Sequence, residues 1–371
     1  MKNLLLLTVF ILVGLLGNGQ DKNIQKLFVG TFTSEGAEGI YLCNFNSETG
    51  DIELSKTFKG IDNPSFLKIS ADRKYLYAVS RTTEEVEKSG GFVVAYKIGN
   101  DATLQFLNKQ VSNGAGPCHI DVSADGKFAA IATYAGGTTS VYPINVDGSL
   151  QPASSIIDNN LFLTDDEDVS HAHSIKFSPF DGKVYSADLG TDQLNIYLIE
   201  NGVMFAGEQK FVKLEKGAGP RHFEFHAKGE IIYVISELNS TISVLQKENE
   251  IWNVIQNIST LPANFEGESY CADIHVSADG KFIYGSNRGH NSIAVFAINP
   301  NSNKLKFRGT VSVEGDWPRN FTLSPNGKFL LVANQQSGNI TVFKIHPETG
   351  MPEFTGKEIK LPAPVCLEFL Q

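Results

Sequence analysis

Four of the chain's 8 histidines, His119, His173, His222 and His275, stand in four successive segments, each shortly before a recurring polar turn phrase. His171 precedes His173 by two residues, Arg221 adjoins His222, Asp273 precedes His275 by two, and Arg319 takes a corresponding place in one further segment. Glu237 and Arg288 end the apolar runs that follow two of these segments. Imidazole and carboxylate groups can take up and return a proton near neutral pH. Arginine adds a planar fork that grips carboxylate or phosphate through paired hydrogen bonds and offsets charge on an oxyanion. Together these residue types suit acid–base chemistry on a compact anion. Metal chemistry is less well provided for: His171-Ala-His173 is the lone HxH pair, and no spacing defines a third and fourth ligand. With no Walker loop, GxSxG elbow or dinucleotide fingerprint either, no metal and no cofactor are assigned.

These cations stand against an acidic background. Lys and Arg total 31 against 41 Asp and Glu, a net charge of -10, and no basic run offers nucleic acid an electrostatic footprint. An anionic ligand must therefore be held by a few local cations in an otherwise repelling field. The first residues read as a leader: Lys2, an apolar run Leu4 to Leu16, then small residues at Gly17 and Gly19. That pattern predicts a secretory signal peptide over residues 1–19 and a mature chain over 20–371, exported to the periplasm or outside the cell. The apolar run is too short for a membrane span, so no membrane partner is expected of the mature form. Cys43, Cys118, Cys271 and Cys366 are far apart with no CxxC spacing and are expected to be buried small hydrophobes.

An internal repeat must position these groups. One phrase, typified by Ser-Ala-Asp-Gly-Lys-Phe, begins at Ser70, Ser123, Ser178, His226, Ser277 and Ser324, at intervals of 53, 55, 48, 51 and 47 residues. Each is a turn between two apolar runs, which reads as a β-hairpin. Ahead of each turn the pattern alternates apolar, polar, apolar, as in Ile120-Asp-Val122 and Phe223-Glu-Phe225, the period of a strand. Such a period with four strands per unit predicts an all-β fold, a β-propeller. The C-terminal Pro364-Val-Cys-Leu-Glu-Phe-Leu370 matches the first strand of a unit but has no second, and Leu27-Phe-Val-Gly-Thr-Phe32 can supply it. Shared between the two termini, this makes a seventh blade and removes the open edges of an unclosed ring. One propeller then replaces the two or three domains that length alone suggests. In an antiparallel meander the start of a blade's first strand and the end of its second share one face. His119, His173, Arg221, His222, Asp273 and Arg319 therefore belong at one mouth of the central channel with Glu237 and Arg288, and His275 lies one step deeper.

The segments Gly217-Ala-Gly-Pro-Arg-His222, Ser236-Glu-Leu-Asn-Ser240, Ala272-Asp-Ile-His275, Ser286-Asn-Arg288 and Pro318-Arg-Asn-Phe321 resemble the seven-bladed propeller lactonases, typified by bacterial 6-phosphogluconolactonase and the fungal carboxy-muconate lactonizing enzyme. The resemblance extends over essentially the whole mature chain. It implies a metal-independent lactonase whose catalytic set falls on His173, Arg221, Glu237 and Arg288, with His119, His222, Asp273, His275 and Arg319 shaping the substrate site. It further implies hydrolysis of a sugar lactone, 6-phosphoglucono-1,5-lactone or a related aldonolactone. Glu237 or His173 would activate water, an arginine would offset the oxyanion, and another would hold the substrate's own anionic group. A monomer acting on a small anionic sugar lactone is expected. The leader departs from the family's cytosolic pattern and puts the phosphate in question. A muconate-type cycloisomerase and a non-catalytic propeller that binds a protein or glycan are the competing readings.

Overall fold

The structure is a computed structural model that describes residues 23–163 and 169–371; the expected leader lies outside them. Among the described residues the strands form seven four-stranded antiparallel sheets. The innermost strands of the first six blades are Phe66–Ile69, Pro117–Val122, Ala172–Phe177, Pro220–Phe225, Tyr270–Val276 and Pro318–Leu323. In the seventh blade Pro364–Leu370 is innermost and pairs with Ile24–Thr31, followed by Ile40–Asn46 and Ile52–Phe58. Lys26 lies opposite Leu370 and Val29 opposite Leu367, so the termini share the closing blade as the repeat required. Each innermost strand touches the next, and the last touches the first, which closes the ring.

The recurring phrase has a local physical cause. The Ser70, Ser123, Ser277 and Ser324 hydroxyls each accept the backbone N–H five residues on, at 2.9–3.0 Å. Each also donates to the Asp or Asn two residues on, at 2.7–2.8 Å. Gly126, Gly280 and Gly327 hold φ of 70°, 68° and 68° at the tip, a conformation that glycine adopts without strain.

The apolar core is distributed around the ring. Seven clusters each join two adjacent blades: Phe45 of the closing blade packs edge-on against both Phe329 of the sixth and Phe369 of its own; the others follow in order. With the apolar faces spent between blades, the channel is left to polar side chains.

One deviation from regular pairing decides where those side chains go. Along the second blade Pro117 faces Thr133 but His119 faces Ala132, so Cys118 is an extra residue in the strand. His173, Arg221 and Arg319 are the corresponding extra residues of the third, fourth and sixth blades. Such β-bulges break strict alternation and re-aim a side chain. Arg221 and His222, neighbours in sequence, consequently turn toward each other, with Nη1 3.4 Å from Nε2.

Candidate active site

Glu237 follows the strand Ile231–Ser236, and its backbone N–H donates to the Gly219 carbonyl at 2.7 Å. That bond fixes where its carboxylate sits relative to the start of the neighbouring strand. Arg288, at the end of Phe282–Arg288, brings Nη2 within 2.8 Å of Glu237 Oε2. Arg221 brings Nε within 2.9 Å of the same oxygen, as an ion pair whose N–H does not point along a hydrogen bond. Each guanidinium is also tied to backbone: Arg288 Nη2 donates to the Cys271 carbonyl at 2.9 Å, and Arg221 Nη1 donates to the Ala272 carbonyl. Arg221 and Arg288 are buried, and the Glu237 side chain is 18% exposed.

This geometry sets the charges. Burial acts to raise the Glu237 carboxyl, but Arg221, Arg288 and Arg319 outweigh it and hold the carboxylate below its usual range. Burial and the charge of Arg288 push Arg221 down to about 10, so it remains a cation at neutral pH. A carboxylate bridging two guanidiniums is a weak base and a firm anchor.

His173 lies in the same cluster. Its ring is 5.7 Å from Tyr134 and 5.4 Å from His222. Burial, followed by Arg221 and His222, drives its pKa well below the ordinary value, which leaves the imidazole neutral. Its Nδ1 is buried with no hydrogen-bond partner among the described residues, an unusual state for an interior polar atom. Next to it His171 stacks on Tyr134 at 4.5 Å and donates Nδ1–H to the Tyr134 carbonyl at 2.9 Å. Asp188 pins that segment, accepting the His171 backbone N–H at 2.8 Å and the Ser170 hydroxyl at 2.5 Å.

Four residues expected to shape the substrate lie further along the channel. His222 Nδ1–H donates to Asp273 Oδ1 at 2.7 Å, which leaves Nε2 as the acceptor facing Arg221. Burial and Arg221 push His222 down to about 4 against the pull of Asp273. Asp273 Oδ2 also receives Asn320 Nδ2 at 2.5 Å and His275 Nε2 at 3.1 Å, and the His119 ring packs against Phe66 with centroids 4.0 Å apart and planes tilted by 31°. His275 is not beside the arginines. It sits two strand positions beyond Asp273, about 6–7 Å farther from the mouth, and its Nδ1 lies 3.4 Å from Glu224 Oε1. Burial alone would lower it, but Asp273 and Glu224 raise it to about 10. His119, His222, Asp273 and His275 line a cavity of about 650 Å³ opening to the far end, with Lys68, Lys176 and Glu224. The mid-channel layer therefore separates two polar ends, and the arginine-rich end alone combines guanidiniums, a carboxylate and an unpartnered neutral imidazole. The His, Cys, Asp and Glu side chains of the described residues include no group of three arranged to hold a metal ion.

Sequence reasoning missed the aromatic floor of the mouth. Trp317 lies under Arg288 at 5.3 Å, and Phe32 lies under both Arg319, at 5.2 Å, and Arg81, at 5.7 Å. Trp317 adopts φ of 66° in the loop between the fifth and sixth blades, and no repeat position marks it. Arg81 ends the second strand of its blade, Tyr75–Arg81, the same place that Arg288 holds, so the repeat already puts it among the strand ends at the mouth; only its seat on Phe32 carries no mark in the sequence.

Three comparisons bear on this arrangement. A family model described as a lactonase, 7-bladed beta-propeller, matches residues 26–369. The chain is 36% identical to a 6-phosphogluconolactonase of Bacillus subtilis over 348 residues, 92% of this chain and 97% of that protein. It is 35% identical over 309 residues to a 6-phosphogluconolactonase of Formosa agariphila, 81% of this chain and 86% of that protein. Among solved structures, the periplasmic gluconolactonase of Pseudomonas aeruginosa superposes with a TM-score of 0.85 at 30% identity, covering 94% of this chain and 99% of the other.

Proposed function

The chain belongs to the family of seven-bladed β-propeller lactonases, and from that premise we propose that it hydrolyses the ring ester of an aldono-1,5-lactone, with or without a 6-phosphate. The observation that carries the reading is the buried Arg221–Glu237–Arg288 bridge beside neutral, unpartnered His173. In this scheme His173 Nδ1 takes a proton from water as its oxygen attacks the lactone carbonyl carbon. Arg221 and Arg288, held by Glu237, offset the negative charge that develops on the carbonyl oxygen. The tetrahedral intermediate collapses with cleavage of the bond to the ring oxygen, and His173 returns the proton to that leaving oxygen. The product is the open-chain sugar acid. In this scheme Glu237 positions the arginines and His173 is the base.

We also propose that residues 1–19 are a leader and that the chain works outside the cytosol; the likeness to a periplasmic gluconolactonase supports this. The test is to assay purified mature protein with glucono-1,5-lactone and its 6-phosphate, corrected for spontaneous ring opening at each pH. A rate above background with either supports the reading. No added rate with any aldonolactone overturns it.

A further inference from the structure

The arginines of the mouth divide into two kinds. Arg221 and Arg288 share one carboxylate, Glu237. Arg319 and Arg81 make no ion pair and no side-chain hydrogen bond among the described residues; each lies against the Phe32 ring. Both are partly exposed, and no side-chain partner among the described residues competes with a ligand for their N–H groups.

The fold explains why they meet. Arg319 is the bulged residue of the sixth blade, Arg81 ends the second strand of the first, and Phe32 leaves the closing blade between them. Phe32 is 8% exposed, packed with Ala363 and Val365, and its N–H donates to the Ala363 carbonyl at 3.1 Å, so it is a fixed platform. A guanidinium on an aromatic face keeps its edge donors free while its plane is held. Burial and then the like charges of Arg221, Arg288 and Arg81 act to lower the Arg319 pKa, against Glu237. Four guanidiniums around one carboxylate leave an unbalanced positive field in a chain of net charge -10.

We propose that Arg319 and Arg81, on the Phe32 platform, form a subsite for a compact anionic terminus of the substrate, remote from the reacting carbonyl. The subsite rests on the lactonase reading for its substrate but is tested without turnover. A phosphate monoester and a terminal carboxylate share the chemistry it recognises.

The experiment is equilibrium binding of three stable sugar acids, 6-phosphogluconate, glucarate and gluconate, by calorimetry. Wild type is expected to bind one or both of the doubly anionic acids at least about tenfold more tightly than gluconate, since a charge-assisted bond to an anion is among the stronger hydrogen bonds. Preference for 6-phosphogluconate identifies phosphate as the terminus, and preference for glucarate identifies carboxylate. Arg319→Gln and Arg81→Gln should each narrow the preference, and the double variant should bring the ratio near one. Arg→Lys at either position should recover part of it, which a folding defect would not; melting temperatures check that the variants fold. An unchanged ratio in the folded double variant, or no preference in wild type, overturns the subsite. Absence of lactone hydrolysis with the binding preference intact would instead overturn the lactonase reading alone.

Discussion

Glu237→Gln separates an anchor from a base. In the wild type one oxygen, Oε2, meets Arg288 Nη2 at 2.8 Å and Arg221 Nε at 2.9 Å. Glutamine keeps the shape, and an amide oxygen in the place of Oε2 can still accept from both arginines, but it carries no negative charge to offset theirs. Charge-assisted bonds are worth about 1.5–3 kcal/mol against about 0.5–1.5 for neutral ones, and breaking a buried pair costs up to about 3–5 kcal/mol. With two contacts affected, and the Glu237 side chain 18% exposed, a loss of about 2–4 kcal/mol is expected. At about 2.1 cal/mol/K of unfolding entropy per residue, that lowers Tm by roughly 3–5 °C for a propeller of this length.

The catalytic consequence follows from the same contacts. Two guanidiniums that no longer share an anchor misplace oxyanion donors, and loss of one such donor typically costs about 10²–10³ in kcat. The assay pairs thermal melts with initial rates on the better aldonolactone, read above the spontaneous rate. Anchoring requires both a lower Tm and a lower kcat, with KM for the lactone changing less than kcat. A wild-type Tm together with a rate loss near 10⁴ would refute the anchor and return Glu237 to the role of base. Wild-type values of both would refute any part for the bridge. The sign with pH is also fixed. Glu237 is held below its usual pKa, so its contribution is present above the unfolded value near 4.3 and is lost as pH falls through the folded one. Glu237→Gln should therefore flatten the acid limb of the Tm profile.

Two further outcomes probe the frame. His275, raised to about 10 by Asp273 and Glu224 against burial, stabilises the fold below an unfolded pKa near 6.5 and progressively less as pH rises toward 10; His275→Gln should reduce the fall in Tm between those pH values. At Gly30 an added Cβ would come 2.4 Å from the Pro64 carbonyl oxygen and 3.1 Å from Cys366 Cβ, so Gly30→Ala should strain the closing blade and cost about 1–3 kcal/mol in a denaturant melt.

The propeller was legible because its unit is local. A hydroxyl that binds the N–H five residues on is written again at four of the six turns and a glycine at φ near 70° at five of them, and apolar alternation recurs ahead of each. Closure could be read as well, since Pro364–Leu370 is a first strand without a second. Arg221, Glu237 and Arg288 could be placed together because a meander fixes which strand ends share a face. What a period of two cannot show is a bulge. Strict alternation would send Arg221 and His222 to opposite sides of the strand, yet they lie 3.4 Å apart. The deeper place of His275 could be read from its position in the strand, but its partner could not: Glu224 comes from the neighbouring blade, and pairing across blades leaves no mark within a repeat.

The same bulges relate the fold to its chemistry. A propeller without them presents one channel-facing residue per blade at each level, and His119, His222, Asp273 and Asn320 already fill one such layer with one another. An extra residue in the strand adds a second side chain at the mouth without disturbing the apolar positions that join blade to blade. His173, Arg221 and Arg319 are all of this kind, whereas Glu237, Arg288 and Arg81 come from the ends of second strands. The mid-channel layer then acts from below: Asp273 holds His222 Nδ1–H, so that Nε2 is left to accept from Arg221. The candidate site residues thus rest on a polar layer that is itself locked by hydrogen bonds. Removing that layer should disturb Arg221 through its orientation, while the seven interblade clusters that hold the ring together are left in place.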